Sequence, residues 1–229
     1  MSISSLEDKI HSIGNPVDML RNASMGPYQF PIKAEFTNWR DEQEAWRKTA
    51  VLFDQTHHMT DHHIEGPDVK PLVESLAINS MANFRRDVAK QFVACNSDGY
   101  IIGDAIIFIL GDYEVNIVNK PIARNWVQYH AEKEGYDVQL TTDDRSLDNT
   151  SQRLKYRFEV QGPNAWEILE KVNGGPITGF KFFRMGEINV AGRKVRVLRH
   201  GMAGAAGLEL FGPFKEKDEI HAALMEAGK

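Results

Sequence analysis

The chain has 229 residues, of which 42% are hydrophobic and 26% charged, and it carries a net charge of −5. This composition is typical of a globular protein that buries a core, and the lack of a basic surplus argues against a nucleic-acid partner. A single cysteine, Cys95, excludes an intramolecular disulfide and predicts a reducing compartment. The N-terminus lacks the apolar segment of a signal peptide, and the longest apolar run, residues 105–110, is too short to span a bilayer. We therefore expect a soluble, cytoplasmic protein with no membrane partner.

The first third of the chain is predicted to contain a loop-rich segment, a helix and a long extended run. Residues 1–40 are interrupted repeatedly by glycine and proline. A helix is predicted from Thr37 to Ala50, because Thr37 or Asn38 can cap it and acidic residues follow in its first turn. Residues 51–66, VLFDQTHHMTDHHIEG, are predicted to run extended into a Gly-Pro turn.

The remainder alternates strands joined by short turns with helices. The predicted elements are a helix over 68–79, three strands within 90–119, a helix over 123–134, a strand and a helix within 153–175, strands at 187–190, 194–199 and 208–213, and a helix over 214–229. Because hairpins alternate with helices, we predict the α+β class, with mixed or antiparallel sheets and helices on one face, rather than a doubly wound parallel sheet.

Four of the eight histidines lie between His57 and His63. On an extended segment two would project from each face, which could begin a zinc site. No cysteine cluster, HExxH motif or third convergent ligand accompanies them in the sequence, and we expect no metal. His62 and His63 are interpreted as solvated residues at a strand end. His57 and His58 lie closer to the apolar VLF segment, where a histidine could act as an acid or hydrogen-bond donor near neutral pH.

Three other polar residues are candidates for a site. Asp104 is embedded in an apolar run, so its carboxylate should either have a partner or serve a site. Gln161, before the break at Gly162, could face a ligand or have a structural role. Glu209 follows a glycine-rich loop and points away from the flanking leucines. A solvated position is the default for it, whereas a position in a cleft would let it bind a planar array of donors such as a pterin edge.

Five segments in series resemble the folate-dependent aminomethyltransferase family, which comprises the glycine-cleavage T-protein and its relatives. They are LFDQTHHM (52–59), DGYIIGD (98–104), IVNKP (117–121), VQGP (160–163) and RHGMAGAAGLE (199–209). The resemblance implies a T-protein-like folate-binding domain over residues 41–229, preceded by the N-terminal segment 1–40. It also explains why the sequence shows no signature of a nucleophilic hydrolase, since the attacking atom would belong to the cofactor.

Two departures favour one branch of this family. Gly103 replaces the first acid of the family's acidic pair, and the segment at 52–59 is one residue longer than in the T-protein. The segments AWRKTAVLFDQTHHM, KFFRM and LRHGMAGAAGLEL are more similar to the tetrahydrofolate-dependent aryl O-demethylases of the vanillate and syringate type. This similarity implies methyl transfer from a methoxyaromatic substrate to N5 of tetrahydrofolate, giving a phenol and 5-methyltetrahydrofolate. A glycine-cleavage aminomethyltransferase and a non-catalytic folate-binding module are the alternatives.

The resemblance also assigns residues by position. It implies catalytic Gln55 and His58 at the reacting oxygen, cofactor-binding Glu209, Gln161, Asn119 and Asp104 around the pterin, and substrate-binding Lys120 and His57, with Lys120 at a substrate carboxylate. The family's relatives extend well beyond this length, with a proposed general-acid tyrosine in the next segment and a C-terminal β-barrel domain. We therefore expect a truncated or partial chain that binds tetrahydrofolate weakly and turns over poorly.

Overall fold

The chain divides into two compact units, Met1–Phe30 and Pro31–Lys229. In the first unit a helix, α1, covers Leu6–Ile13, within the segment that was expected to be rich in loops. The described strands all belong to the second unit. The computed structural model describes residues 6–15, 17, 32, 35–144, 153–201 and 204–229.

The helices and strands of the second unit follow the predicted order, with one further strand, at Gln139–Asp143, that was not predicted. The helices are α2 (Trp39–Lys48), α3 (Val69–Leu76), α4 (Pro121–Glu134), α5 (Ala165–Asn173) and α6 (Lys217–Ala227), with a 3₁₀ turn at Phe214–Glu216. The strands are β1 (Val51–Asp54), β2 (Thr60–Glu65), β3 (Val88–Cys95), β4 (Ile101–Gly111), β5 (Glu114–Asn119), β6 (Gln139–Asp143), β7 (Lys155–Gln161), β8 (Met185–Val190), β9 (Arg193–Leu198) and β10 (Gly207–Pro213). Across the described ranges, no helix has both the length and the apolar character needed to cross a bilayer.

Two five-stranded sheets organise this unit. The first has the order β1-β7-β10-β9-β8 and the second the order β3-β4-β5-β2-β6. Every neighbouring pair in both sheets is antiparallel. The predicted α+β class with antiparallel sheets is confirmed.

Helices cover the outer face of each sheet. Helices α5 and α6 bury apolar residues such as Leu169 and Leu224 against the first sheet. Helices α3 and α4 do the same against the second sheet, with Leu72 and Val127 among the buried residues. A smaller apolar cluster joins residues of both sheets on their inner faces: Ala89, Phe108, Val118, Met185, Leu198 and Phe211. The inner faces of the two sheets therefore pack against each other.

The segment 55–59 carries the chain from the first sheet to the second. It was predicted to be extended, and this is wrong: it forms a turn between β1 and β2. The Asp54 carboxylate accepts a hydrogen bond from the Thr56 amide at 3.0 Å, and the Gln55 carbonyl accepts one from the His58 amide at 2.9 Å. An aspartate that bonds the backbone two residues ahead favours a turn over a strand. The change of direction places residues 55–58 at the junction of the two sheets.

Gly162 follows the last residue of β7 and allows the chain to pass close to the end of α2. Its φ of +130° lies where side-chain-bearing residues are strained, and a Cβ here would lie 2.5 Å from the Thr49 carbonyl oxygen. The glycine lets β7 end beside the C-terminal end of α2. The predicted break between strand and helix at Gly162 is confirmed.

Candidate ligand-binding site between the two sheets

Strand β7 is apolar on one face and charged on the other. Tyr156, Phe158 and Val160 belong to the apolar core beneath the helices. Side chains alternate along a strand, so the intervening residues point toward the second sheet. They are Lys155, Arg157, Glu159 and Gln161, of which the last three are at most 4% exposed. The inner face of β7 therefore supplies charged groups to a space from which water is largely excluded.

Arg157 links the two sheets through this space. Its guanidinium donates to Asp61 of β2 at 2.7 Å and to Glu209 of β10. The same group lies over the rings of Phe108 and Phe211, with 5.1 and 5.5 Å to the ring centroids. Burial opposes the charge of Arg157, but the two carboxylates outweigh burial and raise its pKa. Arg157 is therefore a charged, fully partnered cation between the sheets.

Asp61 is an anion on the inner face of the second sheet, on β2 beside the edge strand β6. It accepts a hydrogen bond from the Asn116 amide at 2.6 Å and lies 3.4 Å from the Arg153 guanidinium. Arg153 also contacts Asp143 at 2.8 Å. Burial raises the pKa of Asp61, but Arg157 and the other donors more than offset this, so the net pKa is lowered. The carboxylate therefore stays ionised although it is buried.

A second cluster surrounds Glu159, which is completely buried. Its carboxylate accepts a hydrogen bond from the Gln55 amide nitrogen at 2.6 Å and another from the Gln161 amide nitrogen. His200 Nδ1 lies 3.3 Å from the same carboxylate and 3.8 Å from Glu209. The hydrogen bond to Glu159 raises the pKa of His200 against the opposing effect of burial.

Glu209 and Gln161 present acceptors in this cluster. Glu209 is 4% exposed, so the default expectation of a solvated carboxylate is wrong. It pairs in register with Glu159, and its burial raises its pKa against the lowering effect of Arg157. The Gln161 amide oxygen is also buried, and no donor among the described residues bonds it. A buried acceptor without a donor is costly, which indicates a ligand that supplies N–H groups.

The other predicted site residues on the second sheet are more exposed. Asn119 is half-buried at the end of β5, opposite Thr60, and Lys120 is exposed at the start of α4. Asp104 is exposed, so its apolar neighbours in the sequence do not bury it, and it has a partner because it accepts a hydrogen bond from Gln91 at 3.0 Å. The residue lies near the start of β4, between β3 and β5 in the second sheet. No contact among the described residues joins Asp104 to the Glu159 cluster.

The histidines have separate environments. His57 is 3% exposed and packs edge-on against Phe214 with ring centroids 6.3 Å apart, whereas His58 is exposed. Burial lowers the pKa of His57, as does Arg153. The structure thus brings Gln55, but not His57, into contact with Glu159.

His62 and His63 contradict the expectation of solvated strand-end residues. His62 is fully buried and bonds Thr142 at 3.0 Å, because its strand lies between β5 and β6. His63 is partly buried and contacts Glu65 at 2.8 Å and Glu114 at 3.5 Å. These three residues could in principle hold a cation. The histidine–carboxylate contacts account for their arrangement without one.

Sequence reasoning missed Asp61, Arg157, Glu159 and His200. The signal was available in KYRFEVQ, where four polar residues alternate with three apolar ones. Such alternation is typical of a strand with one solvated face, so it does not reveal that a second sheet covers that face. Only the packing of the two sheets converts these residues from surface groups to buried ones.

The fold is α+β, and its two antiparallel sheets enclose a cluster of buried charged and amide groups. The chain belongs to the family described as GCVT N-terminal domain, whose model matches residues 19–229. The family resemblance inferred from the sequence motifs is confirmed.

Two relatives with a named activity are similar to this chain. The chain is 45% identical over 227 residues to a syringate O-demethylase of Sphingobium sp. (strain NBRC 103272 / SYK-6), covering 98% of this chain and 49% of that protein. It is 28% identical to an aminomethyltransferase of Lysinibacillus sphaericus (strain C3-41), covering 91% of this chain and 55% of that protein. The chain thus spans about half the length of the curated relatives it matches.

Solved structures support the fold. The glycine cleavage system aminomethyltransferase T from Bartonella henselae matches with a TM-score of 0.64 at 19% identity, over 81% of this chain and 48% of that one. The heterotetrameric sarcosine oxidase from Corynebacterium sp. U-96 matches with a TM-score of 0.56 at 14% identity, over 82% of this chain and 90% of the matched chain. The predicted T-protein-like architecture is therefore confirmed.

Proposed function

We propose that this chain supplies the tetrahydrofolate-binding part of an enzyme that transfers a methyl group from a methoxyaromatic compound of the syringate or vanillate type. The observation that carries the proposal is the buried pair of acceptors formed by Glu209 and the unpartnered oxygen of Gln161. The 45% identity to a syringate O-demethylase supports the choice of substrate class.

The residues present fit the pterin of tetrahydrofolate. A pterin edge carries an amino group and a ring N–H side by side, which match a carboxylate and an amide oxygen on neighbouring strands. Glu209 and Gln161 would hold this edge, with Asn119 and Asp104 nearer the open end of the second sheet. When bound, tetrahydrofolate supplies the nitrogen that accepts the methyl group.

The chain's own contribution would be to align the substrate and to stabilise the departing oxygen. Gln55 lies at the junction of the sheets with one amide hydrogen on Glu159, which leaves its second amide hydrogen for the phenolic oxygen. His58 is exposed in the same turn and can donate a hydrogen bond to that oxygen. A positioned acid of this kind contributes about 10²–10⁴-fold to a rate.

Two further residues complete the proposal. Lys120, exposed at the start of α4, would meet the carboxylate of the aromatic substrate. His57 is buried against Phe214 and so would support the turn rather than contact the substrate directly. Gly103, in the position of a family acid, argues against the aminomethyltransferase alternative.

Calorimetric titration with tetrahydrofolate under anaerobic conditions tests the binding step. We expect saturable binding by the wild type and a roughly 10- to 100-fold loss of affinity in Glu209→Gln, because the charged acceptor of a ligand N–H hydrogen bond is removed. Glu187→Gln, an exposed substitution on β8, is the matched control. Gln161→Leu provides a second variant that leaves the Arg157–Glu209 ion pair intact.

Methyl transfer from syringate and vanillate, followed as 5-methyltetrahydrofolate, tests the reaction. Transfer that requires both the methoxyarene and tetrahydrofolate supports the proposal. Transfer from an aminomethyl donor instead would favour the aminomethyltransferase alternative. Saturable binding without either reaction would favour a folate-binding module, and a wild type that does not bind tetrahydrofolate would refute the proposal.

A further inference from the structure

Glu159 lies at the centre of the site and has no role in the proposal so far. It is completely buried on β7, between Phe53 of β1 and Glu209 of β10 in the strand register. Its carboxylate contacts Gln55 and Gln161 through their amide nitrogens, and His200 through Nδ1. These three partners come from the turn between the sheets, from β7 itself and from the segment after β9.

The chemistry of a carboxylate fixes how both glutamines are oriented. An ionised carboxylate only accepts hydrogen bonds, so each glutamine must turn its NH₂ group toward Glu159 and its oxygen away. For Gln161 this leaves the buried amide oxygen without a donor in the described part of the chain. Glu159 therefore determines that Gln161 presents an acceptor, and not a donor, to whatever enters the site.

His200 supplies a third hydrogen-bond partner for Glu159. Its ring stacks on Phe183 with an interplanar angle of 4° and a centroid distance of 5.6 Å. The charged groups that face it are Glu159 and Arg157 from β7 and Glu209 from β10. When Nδ1 carries a proton it donates to Glu159, so the histidine adds a third donor to the carboxylate that orients the glutamines.

We propose that Glu159 is a positioning residue that sets the ligand specificity of the site, by locking the amide oxygen of Gln161 beside Glu209 as an acceptor pair. This inference rests on the proposed function for the identity of the ligand. The site then selects a heterocycle edge with two adjacent N–H donors and discriminates against an edge that lacks one of them. Glu159 touches neither ligand nor reacting atoms and acts through the glutamines.

The substitution Glu159→Gln removes this control. Gln55 and Gln161 bond different oxygens of Glu159, and a glutamine at position 159 replaces one of those oxygens with NH₂. One of the two glutamines then meets a donor with its own NH₂ group and must turn over. If Gln161 turns, it directs NH₂ at the ligand's own N–H groups. The affinity for tetrahydrofolate should then fall roughly 10- to 100-fold, which is the usual effect of an unsatisfied buried group.

Discrimination between two ligands separates this effect from simple loss of structure. The wild type should bind tetrahydrofolate at least about 10-fold more tightly than its 2-desamino-2-methyl analogue, which lacks the exocyclic amino donor. In Glu159→Gln this ratio should fall toward one, whereas Glu187→Gln should keep the wild-type ratio. An unchanged ratio in Glu159→Gln would overturn the proposal.

An NMR titration tests Glu159 independently of any ligand. The hydrogen bond to Glu159 raises the pKa of His200 in the wild type, so Glu159→Gln should lower it, and Glu187→Gln should not. An unchanged His200 pKa would show that Glu159 does not hold this histidine and would overturn the proposal. A wild type that fails to bind tetrahydrofolate would refute the proposed function, while this titration would still report on Glu159.

A measurement on the wild type covers the case in which Glu159→Gln does not fold. The side-chain NH₂ protons of Gln161 should exchange slowly with solvent in both the free and the tetrahydrofolate-bound protein, because they point into the carboxylate. Fast exchange in the free protein, at the rate of an exposed glutamine such as Gln43, would contradict the locked orientation.

Discussion

Arg157 of the first sheet donates to Asp61 of the second at 2.7 Å, and both side chains are almost fully buried. With Glu209 as its other partner, the guanidinium joins three strands from two sheets. Removing one partner of a buried ion pair is strongly destabilising, because the remaining charge is then buried without a partner.

Arg157→Met should therefore destabilise the protein by about 3–5 kcal/mol, measured as the free energy of unfolding in urea. The control is Arg193→Met, which removes an exposed ion pair with Glu219 at 2.8 Å and should cost at most about 1 kcal/mol. Equal losses in the two variants would contradict the buried role of Arg157.

His62 should make the fold sensitive to mild acid. Burial, with a contribution from Arg124, lowers the pKa of His62 to about 4, from an ordinary value of 6.5. The folded state thus binds the proton more weakly than the unfolded chain does, and stability is lost as the pH falls from 6.5 toward 4. The loss should be on the order of 3 kcal/mol at pH 4.

His62→Gln should reduce this acid sensitivity, because glutamine keeps a hydrogen-bonding group for Thr142 but does not titrate in this range. Urea unfolding of the wild type and of His62→Gln at pH 7 and pH 4.5 gives the loss of unfolding free energy in each protein. His11→Gln, an exposed change on α1, should leave the pH dependence as in the wild type. An identical pH dependence in His62→Gln would refute the assignment.

Gly162→Ala should destabilise the junction between β7 and α2 by about 1–3 kcal/mol, since the φ of +130° is strained for alanine and the Cβ would meet the Thr49 carbonyl at 2.5 Å. Gly175→Ala is the matched control, because no atom lies within 4 Å of its Cβ position. Thermal unfolding of both variants checks the prediction, which fails if the midpoint of Gly162→Ala matches that of the control.

Lys120→Met should weaken binding of a carboxylated methoxyarene roughly 2- to 5-fold without changing the affinity for tetrahydrofolate, since an exposed ion pair contributes at most about 1 kcal/mol. Lys70→Met on α3 is the control for loss of an exposed charge. Ligand-observed NMR with syringate in the presence of tetrahydrofolate measures the effect. A parallel loss of tetrahydrofolate affinity would assign Lys120 to the cofactor instead.

Local sequence signals were sufficient for most helices and strands. Asn38 caps α2 as predicted, accepting hydrogen bonds from the amides of Arg40 and Asp41. The pattern of apolar residues also located both strand-rich regions. The turn at 55–59 was not predicted, because its apolar and β-branched neighbours suggest a strand. A hydrogen bond of the Asp54 side chain redirects the chain there.

Burial was the quantity that the sequence could not supply. Asp104 has mostly apolar neighbours in the sequence and is exposed, whereas Glu159 alternates with apolar residues along β7 and is completely buried. The difference depends on whether another sheet covers that face, and this is decided by contacts between residues far apart in the chain. Glu209 was singled out because it follows a glycine-rich loop, and no such loop precedes Glu159.

The layer between the two sheets is more polar than the stability of the fold requires. Filling such a space with well-fitted aliphatic side chains in place of Asp61, Arg157 and Glu209 is often neutral or even stabilising in other proteins. A chain redesigned in that way should tolerate heat at least as well as the natural one, yet it would lack the Glu209 carboxylate that we propose binds the pterin edge. Thermostability screens that ignore binding would therefore select against this carboxylate.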